Sequence, residues 1–378
     1  MATQRFSNVL ILTGCSHATV NLYRGGHLQE QLAQLGIQAE VQAWQDQAWP
    51  AAAVEPYDLL VLQRTAMSAN LACLIDAMHR AGKLVLFDTD DLVFEPTMIG
   101  WHRGAAQLPP AEQSLYVEGV HRTLATLEAS DAVLAASPLL VELASRRGKP
   151  AFLHRNAVGV EMQTLGDRLY ARRAVADTGN APGNDMERAQ LSNGGGQDEE
   201  RVIIGYGRGT PTHDVDFAEV VPALLALLSR HPQVELWLMG PLTTPEALQL
   251  LSRRIRRFPL MGWQAYLELA AGLDIMLAPL EADNLFCRAK SEIKFVEAAL
   301  LGIPTVATRT DPFEGVIQSG VNGLLAGATA EWIAALDRLV SQPGLRRQLG
   351  AAARQTVEKG YSLATRATEL AETLNLIG

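Results

Sequence analysis

The chain has 378 residues, which is more than one hydrophobic core usually organises, so we expect two domains. Hydrophobic residues make up 48% and charged residues 19% of the chain, and the mean hydropathy is +0.05, as in soluble globular proteins. A net charge of −9 argues against a nucleic-acid partner, although it leaves a local basic patch open.

The cysteines and the start of the chain indicate the compartment. Cys15, Cys73 and Cys287 show no spacing typical of disulfides or of a zinc site, which favours a reducing environment. The polar start precedes a short apolar run, residues 9–12, that is typical of a buried strand and not of a signal peptide. No apolar run approaches the roughly 20 residues that cross a bilayer. We therefore expect a cytoplasmic protein, with peripheral contact to the inner membrane face left open.

Short apolar runs alternate with longer amphipathic stretches through the first half of the chain. The apolar runs predict buried strands at residues 9–12, 59–62, 84–88, 132–135 and 151–154. The amphipathic stretches predict helices at residues 23–35, 70–81, 113–128 and 138–147. This alternation is typical of a parallel sheet with helices on both faces.

The alternation breaks at residues 176–200, where Gly, Asn and Asp dominate and little can be buried. It then restarts, with strands predicted at residues 202–206, 234–239, 274–278 and 305–307. Helices are predicted at residues 216–230, 245–254, 263–271, 289–301 and 330–341. The chain therefore has two similar halves joined by a polar segment.

These boundaries predict the domain organisation. The first domain is expected at residues 1–165, a linker or flexible insertion at 166–200, a second domain at 201–360 and an amphipathic tail at 361–378. The expected fold class is α/β, with two Rossmann-like domains facing a cleft. Ligands of such sheets bind outside the carboxyl ends of the strands, so the cleft is the expected site.

Two lysines and an acid lie on one face of the predicted helix 289–301. Lys290 and Lys294 are four residues apart, and Glu297 follows three residues later. Two like charges at this spacing repel, and cations are unfavourable in the first turn of a helix. A bound anion would remove both penalties. A solvated face with an ion pair between Lys294 and Glu297 fits the spacing about equally well.

A glycine-rich loop follows the predicted strand 202–206. Gly207 and Gly209 allow the backbone to approach a phosphate, with Thr210 beside them, and Arg208 can add charge-assisted hydrogen bonds. By itself this spacing is a weak phosphate signal. His213, at the end of the loop, either binds ligand oxygens or caps the next helix.

Four segments together resemble the GT-B glycosyltransferases of the retaining glycosyltransferase family 4. Residues 290–307 resemble the donor-site helix of these enzymes and its following strand, and residues 315–325 resemble their late Gly-x-Asn-Gly-Leu-Leu turn. Residues 204–217, which include the run Gly-Thr-Pro-Thr-His-Asp at 209–214, resemble a loop of bacterial surface-polysaccharide transferases. The segment Tyr23-Arg-Gly-Gly-His27 resembles the first loop of the acceptor domain.

The resemblance implies a nucleotide-sugar donor site on residues 200–360, an acceptor site on residues 1–165 and a C-terminal helix that packs back on the first domain. Lys290 and Lys294 would hold the diphosphate, and Glu297 would accept hydrogen bonds from the ribose hydroxyls. Arg208 would contact phosphate from the glycine-rich loop.

Further donor-site residues are expected from neighbouring segments. Glu281, Asp283 or Asn284 would contact the donor sugar from the loop before the helix. Phe286 and Ser291 are further expected binding residues. Arg24 and Gly25, in the first loop, would line the cleft near the phosphates or the acceptor.

One position departs from the family pattern. The family has two acids in an E-x7-E spacing; Glu297 matches the second, but Ala289 stands where the first would be. The departure bears on the donor sugar more than on nucleotide binding.

The acidic segment Asp88-Thr-Asp-Asp91 follows the predicted strand 84–88. In the GT-B interpretation it faces the cleft from the acceptor side, where Asp90 or Asp91 would bind an acceptor hydroxyl or act near the transferred sugar. Two alternatives stay open: a structural cap, and the metal site that an Asp-x-Asp forms in GT-A transferases.

The expected activity is transfer of a sugar from a nucleotide diphosphate sugar to a hydroxyl of a glycan, a lipid-linked acceptor or a protein, with retention, in polysaccharide biosynthesis. No cofactor or metal is required if Lys290, Lys294 and Arg208 neutralise the leaving diphosphate. Two alternatives remain. A nucleotide-sugar 2-epimerase has the same fold, and Ala289 keeps open a non-catalytic transferase-like partner or sugar-binding scaffold.

Overall fold

The computed structural model describes residues 5–15, 18–177, 201–208, 214–243 and 245–377. Within these residues the chain forms two α/β domains, each built on a six-stranded sheet whose strand pairs are all parallel. The expected fold class is confirmed. Among the described residues, no helix has both the length and the apolar character that crossing a membrane requires.

The first sheet has the strand order β2-β1-β3-β4-β5-β6. Its strands are β1 Asn8–Thr13, β2 Gln38–Ala43, β3 Leu59–Gln63, β4 Leu84–Thr89, β5 Ala132–Ala135 and β6 Ala151–Leu153. The strand β2 was not predicted, because it lies at the sheet edge and alternates polar and apolar residues. The inner strands are buried on both faces, which is why they consist of continuous apolar runs.

Helices cover both faces of the first sheet. They are α1 Ala18–Asn21, α2 His27–Gln34, α3 Ala69–Arg80, α4 Arg103–Ala106, α5 Pro110–Ala129 and α6 Pro138–Arg146. A π-helical turn, Leu22–Gly26, joins α1 to α2, and 3₁₀ turns form at Ala51–Val54 and Pro96–Trp101. The helix predicted at residues 23–35 therefore begins later in the structure, at His27, because the turn before it is π-helical.

The second sheet has the order β12-β11-β10-β7-β8-β9. Its strands are β7 Val202–Gly207, β8 Val234–Met239, β9 Ile255–Phe258, β10 Ile275–Ala278, β11 Thr305–Thr308 and β12 Leu324–Ala326. The chain order reverses between β7 and β10, and a crevice opens at such a switch point. Two arginines, Arg256 and Arg257, lie in β9 at the edge of this sheet.

The second domain is completed by helices on both faces of its sheet. They are α8 Asp214–Ala218, α9 Val221–Arg230, α10 Trp263–Ala270, α11 Leu285–Arg288, α12 Ile293–Leu300, α13 Asp311–Glu314, α14 Thr329–Ser341 and α15 Pro343–Gly360. A 3₁₀ segment spans Glu246–Arg254, where an α-helix was predicted.

Two helices cross between the domains. The helix α7, Val160–Asp177, packs Met162 and Leu165 into the core of the second domain. Residues 166–177, predicted as the start of the linker, are therefore helical, and residues 178–200 lie outside the described part. The last helix, α16 Leu363–Ile377, places Leu370 and Leu374 in the core of the first domain.

Gly240, directly after β8, is expected to tolerate no side chain. Its φ is +101°, and an added Cβ would overlap the backbone oxygen of Arg208. We expect Gly240→Ala to lower the free energy of unfolding by about 2 kcal/mol or more, because strain and overlap add. Gly148, with φ +77° and no atom within 4 Å of an added Cβ, provides the control. Denaturant unfolding of both alanine variants should show the smaller loss for Gly148→Ala; equal losses would contradict the overlap.

Candidate functional site

The candidate site lies where the carboxyl ends of β7 and β10 face the first domain across the cleft. The loop after β7, the loop after β10 and the N-terminal end of α12 meet there. Side chains of the first domain close the other side. Among the residues that the structure describes, no group of three or more His, Cys, Asp or Glu is arranged to hold a metal ion.

Lys294 lies near the start of α12 and faces the end of β7. Its ammonium group is 4.9 Å from the centre of the Tyr206 ring. Burial and, to a lesser extent, the charge of Lys290 lower the pKa of Lys294 to about 8, against the opposing effect of Asp216 and Glu297. The charge of Lys290 therefore disfavours the charge of Lys294.

Lys290 precedes the helix instead of lying within it. Helix α12 begins at Ile293 with Glu292 as its N-cap, so the prediction that Lys290 is helical was wrong. The carboxylate of Glu292 pairs with Arg155 at 2.7 Å, which favours a helix that begins after Glu292 and does not extend back to Lys290. The Lys290 ammonium lies 3.8 Å from the Asp216 carboxylate and 5.3 Å from the Phe286 ring centre.

Glu297 lies one turn after Lys294 in the same helix. Its Oε1 accepts a hydrogen bond of 3.0 Å from the hydroxyl of Tyr23. Burial raises the pKa of Glu297 to about 7, although the Tyr23 hydrogen bond and the charge of Lys294 both oppose the rise. Its protonation therefore changes close to neutral pH.

The loop after β7 begins under an aromatic side chain. An added Cβ at Gly207 would lie 2.6 Å from the Tyr266 ring, so only glycine fits below it. The Arg208 side chain is 1% exposed and forms an ion pair with Asp214. Burial lowers the pKa of Arg208. The remaining predicted residues of this loop, Gly209, Thr210 and His213, lie outside the described residues.

A small cavity of about 10 Å³ lies between the two domains beside Lys290. The second domain lines it with Asp216, Glu281, Asn284 and Phe286 among others. Asp216 is buried and accepts hydrogen bonds from the backbone of Glu281 and from the Cys287 thiol. The cavity therefore presents two carboxylates next to a lysine, and it contains the predicted residues Asn284 and Phe286.

The segment Trp101–Arg103 of the first domain forms the other wall of this cavity. Arg103 donates to Glu281 at 3.1 Å, and the Asn284 side-chain amide donates to the Trp101 carbonyl at 2.9 Å. The ring of His102 stands edge-on to Phe286, with 4.4 Å between ring centres. These three contacts join the domains directly over the cavity.

Asp90 and Asp91 lie behind that wall and pair with Arg64. The Arg64 guanidinium is 2.6 Å from Asp90 and 3.6 Å from Asp91. Arg64 has φ +47°, an unfavourable value for a residue with a side chain, and such strain is concentrated at functional sites. Burial raises the pKa of Asp90, with the Arg64 charge opposing it. Burial also lowers the pKa of His102, on which the charges of Asp91 and Lys290 act in opposite directions.

Arg24 does not lie on the cleft surface, which corrects the prediction. It is 0% exposed, and its guanidinium donates to Asp88 at 2.9 Å, to the His154 carbonyl at 2.7 Å and to Asn156. A guanidinium held in this way by the interior of the first domain cannot reach a phosphate without leaving these partners. Gly25 is also buried, with an added Cβ 3.0 Å from Val41.

Two further predicted positions lie just before α12. Ser291 accepts a hydrogen bond of 3.3 Å from Asn156 of the first domain. Ala289 is fully buried, and its carbonyl accepts a hydrogen bond of 2.7 Å from Ser137, also in the first domain. The position of the missing family acid is therefore part of the contact between the domains.

The prediction missed several residues that the structure brings to the site, namely Arg64, His102, Asp216 and Tyr266. Arg64 directly follows a buried strand, and Asp216 follows the glycine-rich loop. Polar residues at such places in parallel sheets were a usable signal. No local pattern marks His102 or Tyr266, which reach the site from helices and turns packed against it.

Comparison with solved structures identifies the class of fold. HepE from Anabaena, in complex with UDP, has a TM-score of 0.62 and 14% identity over 98% of this chain and 99% of that one. Sucrose-phosphate synthase from Thermosynechococcus elongatus has a TM-score of 0.63 and 16% identity over 98% and 99%. A glycosyltransferase from Rickettsia africae has a TM-score of 0.64 and 13% identity over 98% of each chain. The chain thus has the two-domain GT-B fold of glycosyltransferases.

A sequence comparison is more specific for part of the chain. Residues 200–342 match the family model described as glycosyl transferases group 1, which is the segment that carries β7 to α14. No curated protein matches the chain in sequence. The finer placement in the retaining glycosyltransferase family 4 stays a prediction.

Proposed function

We propose that this protein is a glycosyltransferase that moves a sugar from a nucleotide diphosphate sugar to a hydroxyl of a glycan or lipid-linked acceptor, with retention at the sugar carbon. The group 1 match over residues 200–342 and the GT-B fold support the class of enzyme. HepE, which has the same fold, binds UDP, and this makes UDP the first nucleotide to test.

The observation that carries the proposal is the pair of lysines at the end of β7. Lys290 lies close enough to Lys294 to disfavour its charge, and burial disfavours that charge more strongly. Asp216 and Glu297 offset only part of this cost, because the pKa of Lys294 stays lowered, and a bound anion would offset more of it. A diphosphate would supply that anion, and the lysines would then stabilise the charge that develops as the glycosidic bond breaks.

The other donor contacts follow from this placement. The diphosphate would lie between the lysines and the loop of Gly207 and Arg208, and the ribose hydroxyls would bind Glu297. The sugar would lie beside Lys290 when the domains open enough to admit it, and Asp216 and Glu281 could accept hydrogen bonds from its hydroxyls. These carboxylates would take the place of the family's first acid, which is absent because position 289 is an alanine.

The acceptor would approach from the first domain. Asp90 and Asp91 are two carboxylates of the first domain that share one cationic partner, Arg64. We assign them to binding the acceptor hydroxyl. In the transfer the acceptor oxygen bonds to the anomeric carbon on the face from which the nucleoside diphosphate leaves. The diphosphate takes the electrons of the broken bond, and its phosphate oxygen takes the proton of the acceptor hydroxyl. Closure of the domains excludes water and so limits hydrolysis of the donor.

Ala289 supports a second candidate function, a non-catalytic nucleotide-binding partner of another transferase. The residue is buried against the first domain and offers no side-chain group to the donor. Such a protein would bind nucleotide through the lysines but would not turn it over. Nucleoside diphosphate release from a bound nucleotide sugar distinguishes the two functions.

Thermal unfolding with UDP, GDP, dTDP, ADP and CMP tests the donor site. A nucleotide at about 100 times its dissociation constant should stabilise the wild type by about 2.7 kcal/mol. The shift should be lost in Lys294→Ala and kept in Lys359→Ala, which removes an exposed lysine from the end of α15. A wild type that none of these nucleotides stabilises would contradict the proposal.

The two perturbed groups predict a bell-shaped pH dependence of nucleotide binding. Below about pH 7, Glu297 takes up a proton and loses its charge as an acceptor for the ribose. Above about pH 8, Lys294 loses the charge that holds the phosphates. Calorimetric titration of a nucleotide sugar, which has no terminal phosphate to titrate, should show the tightest binding between these values. Glu297→Gln should abolish the acid limb only; affinity that is constant from about pH 6 to 9 would contradict the assignment.

A further inference from the structure

Tyr23 belongs to the first domain in sequence, but its side chain lies in the core of the second. It is 4% exposed and packs in one cluster with Met162, Phe295 and Val296. The π-helical turn Leu22–Gly26 makes this possible, because Tyr23 and Arg24 can then reach partners in different domains. π-helical turns are rare in proteins, and those that occur are often found at functional sites.

The hydroxyl of Tyr23 is held in place from several directions. It donates to Oε1 of Glu297 at 3.0 Å and lies 3.4 Å from the sulfur of Met162. The Tyr23 ring also stands edge-on to His27, with 5.1 Å between ring centres. Within the described part of the chain, no hydrogen bond reaches Oε2 of Glu297. One carboxylate oxygen is thus held by the first domain, and the other is left for a ligand.

We propose that Tyr23 is a positioning residue of the nucleotide site, which orients Glu297 so that its Oε2 meets the ribose hydroxyls of a nucleoside diphosphate. This inference rests on the proposed function and deepens it. Because Tyr23 is carried by the first domain, the nucleotide site is complete only when the domains are closed. A nucleotide that binds the closed arrangement more tightly must in turn favour closure.

The groups that face Glu297 determine how the effect depends on pH. Tyr23 faces it from the π-turn, Tyr266 from α10, and Lys294 from its own helix. The Tyr23 hydrogen bond opposes the rise that burial causes in the pKa of Glu297. Without that hydroxyl the pKa would rise further, and a larger share of Glu297 would be protonated at neutral pH.

Tyr23→Phe removes the hydroxyl and keeps the ring in the core. In calorimetric titrations with UDP, or with the nucleoside diphosphate that stabilises the wild type, we expect the dissociation constant to rise about tenfold near pH 7. The acid limb of binding should also move to higher pH than in the wild type. Tyr57→Phe is the matched control, since Tyr57 donates to the exposed Glu40 far from the cleft. We expect it to bind as the wild type does.

A double-mutant cycle separates positioning from packing. In a Glu297→Gln background, Tyr23→Phe should cause little additional loss, because the carboxylate that it orients is gone. An equal loss in both backgrounds would show that Tyr23 acts through packing and would overturn the inference.

The outcomes separate this inference from the proposed function. If the wild type binds a nucleotide, Lys294→Ala does not, and Tyr23→Phe binds as tightly as the wild type at every pH, the donor site stands and the role of Tyr23 is wrong. Tighter binding by Tyr23→Phe would make Tyr23 a competitor of the ribose, which also overturns the inference. If the wild type binds no nucleoside diphosphate, both fail.

Discussion

Replacing Lys294 by alanine is expected to lower turnover about 10²- to 10³-fold while the chain stays folded. Lys294 is partly exposed at the cleft, and its ammonium contacts the Tyr206 ring and no carboxylate at ion-pair distance within the described residues. Its loss therefore breaks no ion pair among the described residues, and Glu297, whose pKa the Lys294 charge lowers, keeps its hydrogen bond from Tyr23. What the variant loses is a charge at the place where the leaving diphosphate becomes more negative.

The measurement is the initial rate of nucleoside diphosphate release from the nucleotide sugar that binds, with a panel of glycan acceptors. Lys294→Arg, which keeps the charge but changes its reach, should lie between the wild type and Lys294→Ala. Lys359→Ala should match the wild type. Near-normal turnover in Lys294→Ala would rule out the diphosphate role. Release that is absent from the wild type, together with normal nucleotide binding, would favour the non-catalytic partner.

Replacing Arg24 by methionine is expected to cost about 3 to 5 kcal/mol of the free energy of unfolding. Burial alone would raise the pKa of Asp88, but the charge and hydrogen bonds of Arg24 and His154 more than offset this and hold it below its usual value. Without Arg24, Asp88 would be left at the centre of the first domain as a fully buried acid without its main partner. The His154 carbonyl and Asn156 would also lose their donors.

An exposed ion pair on the same domain provides the control. Arg146 pairs with Glu142 one turn earlier in α6, and these side chains are 69% and 53% exposed. Arg146→Met should change stability by no more than about 0.5 kcal/mol, because water screens the pair. Denaturant unfolding measures both variants. A second change, Asp88→Asn, should recover part of the loss in the Arg24 variant; equal stability of the wild type and Arg24→Met would contradict a structural role for this pair.

The sequence predicts most of the fold because the relevant signals are local. Strands that are buried on both faces must be continuously apolar, and nine of those predicted overlap strands of the two sheets. The three missed strands, β2, β9 and β12, lie toward the sheet edges, where one side of the strand meets less of the core. Edge strands contain polar residues: β2 alternates polar and apolar side chains, and β9 contains two arginines.

The candidate site is predictable only in part, and for a related reason. The lysines and Glu297 are close in sequence, so their spacing alone places them near each other. Arg24 shows the limit of such inference. Its segment resembles the first loop of the acceptor domain, which implies a place on the cleft, but Arg24 pairs in the folded chain with Asp88, 64 residues away. A guanidinium pairs with whichever acid packing brings within reach, and the local pattern does not specify which.

By itself, the sequence determined the α/β class, the two halves, and a cationic pair on the segment that carries Glu297. Only the tertiary structure decided which groups surround that pair. Tyr23 meets Glu297 across 274 residues, and the segment Trp101–Arg103 closes the cavity beside Lys290 from the other domain. The physical reason is that periodicity reports which side of an element is buried. Contacts between domains depend instead on the packing of whole elements, which no local period encodes.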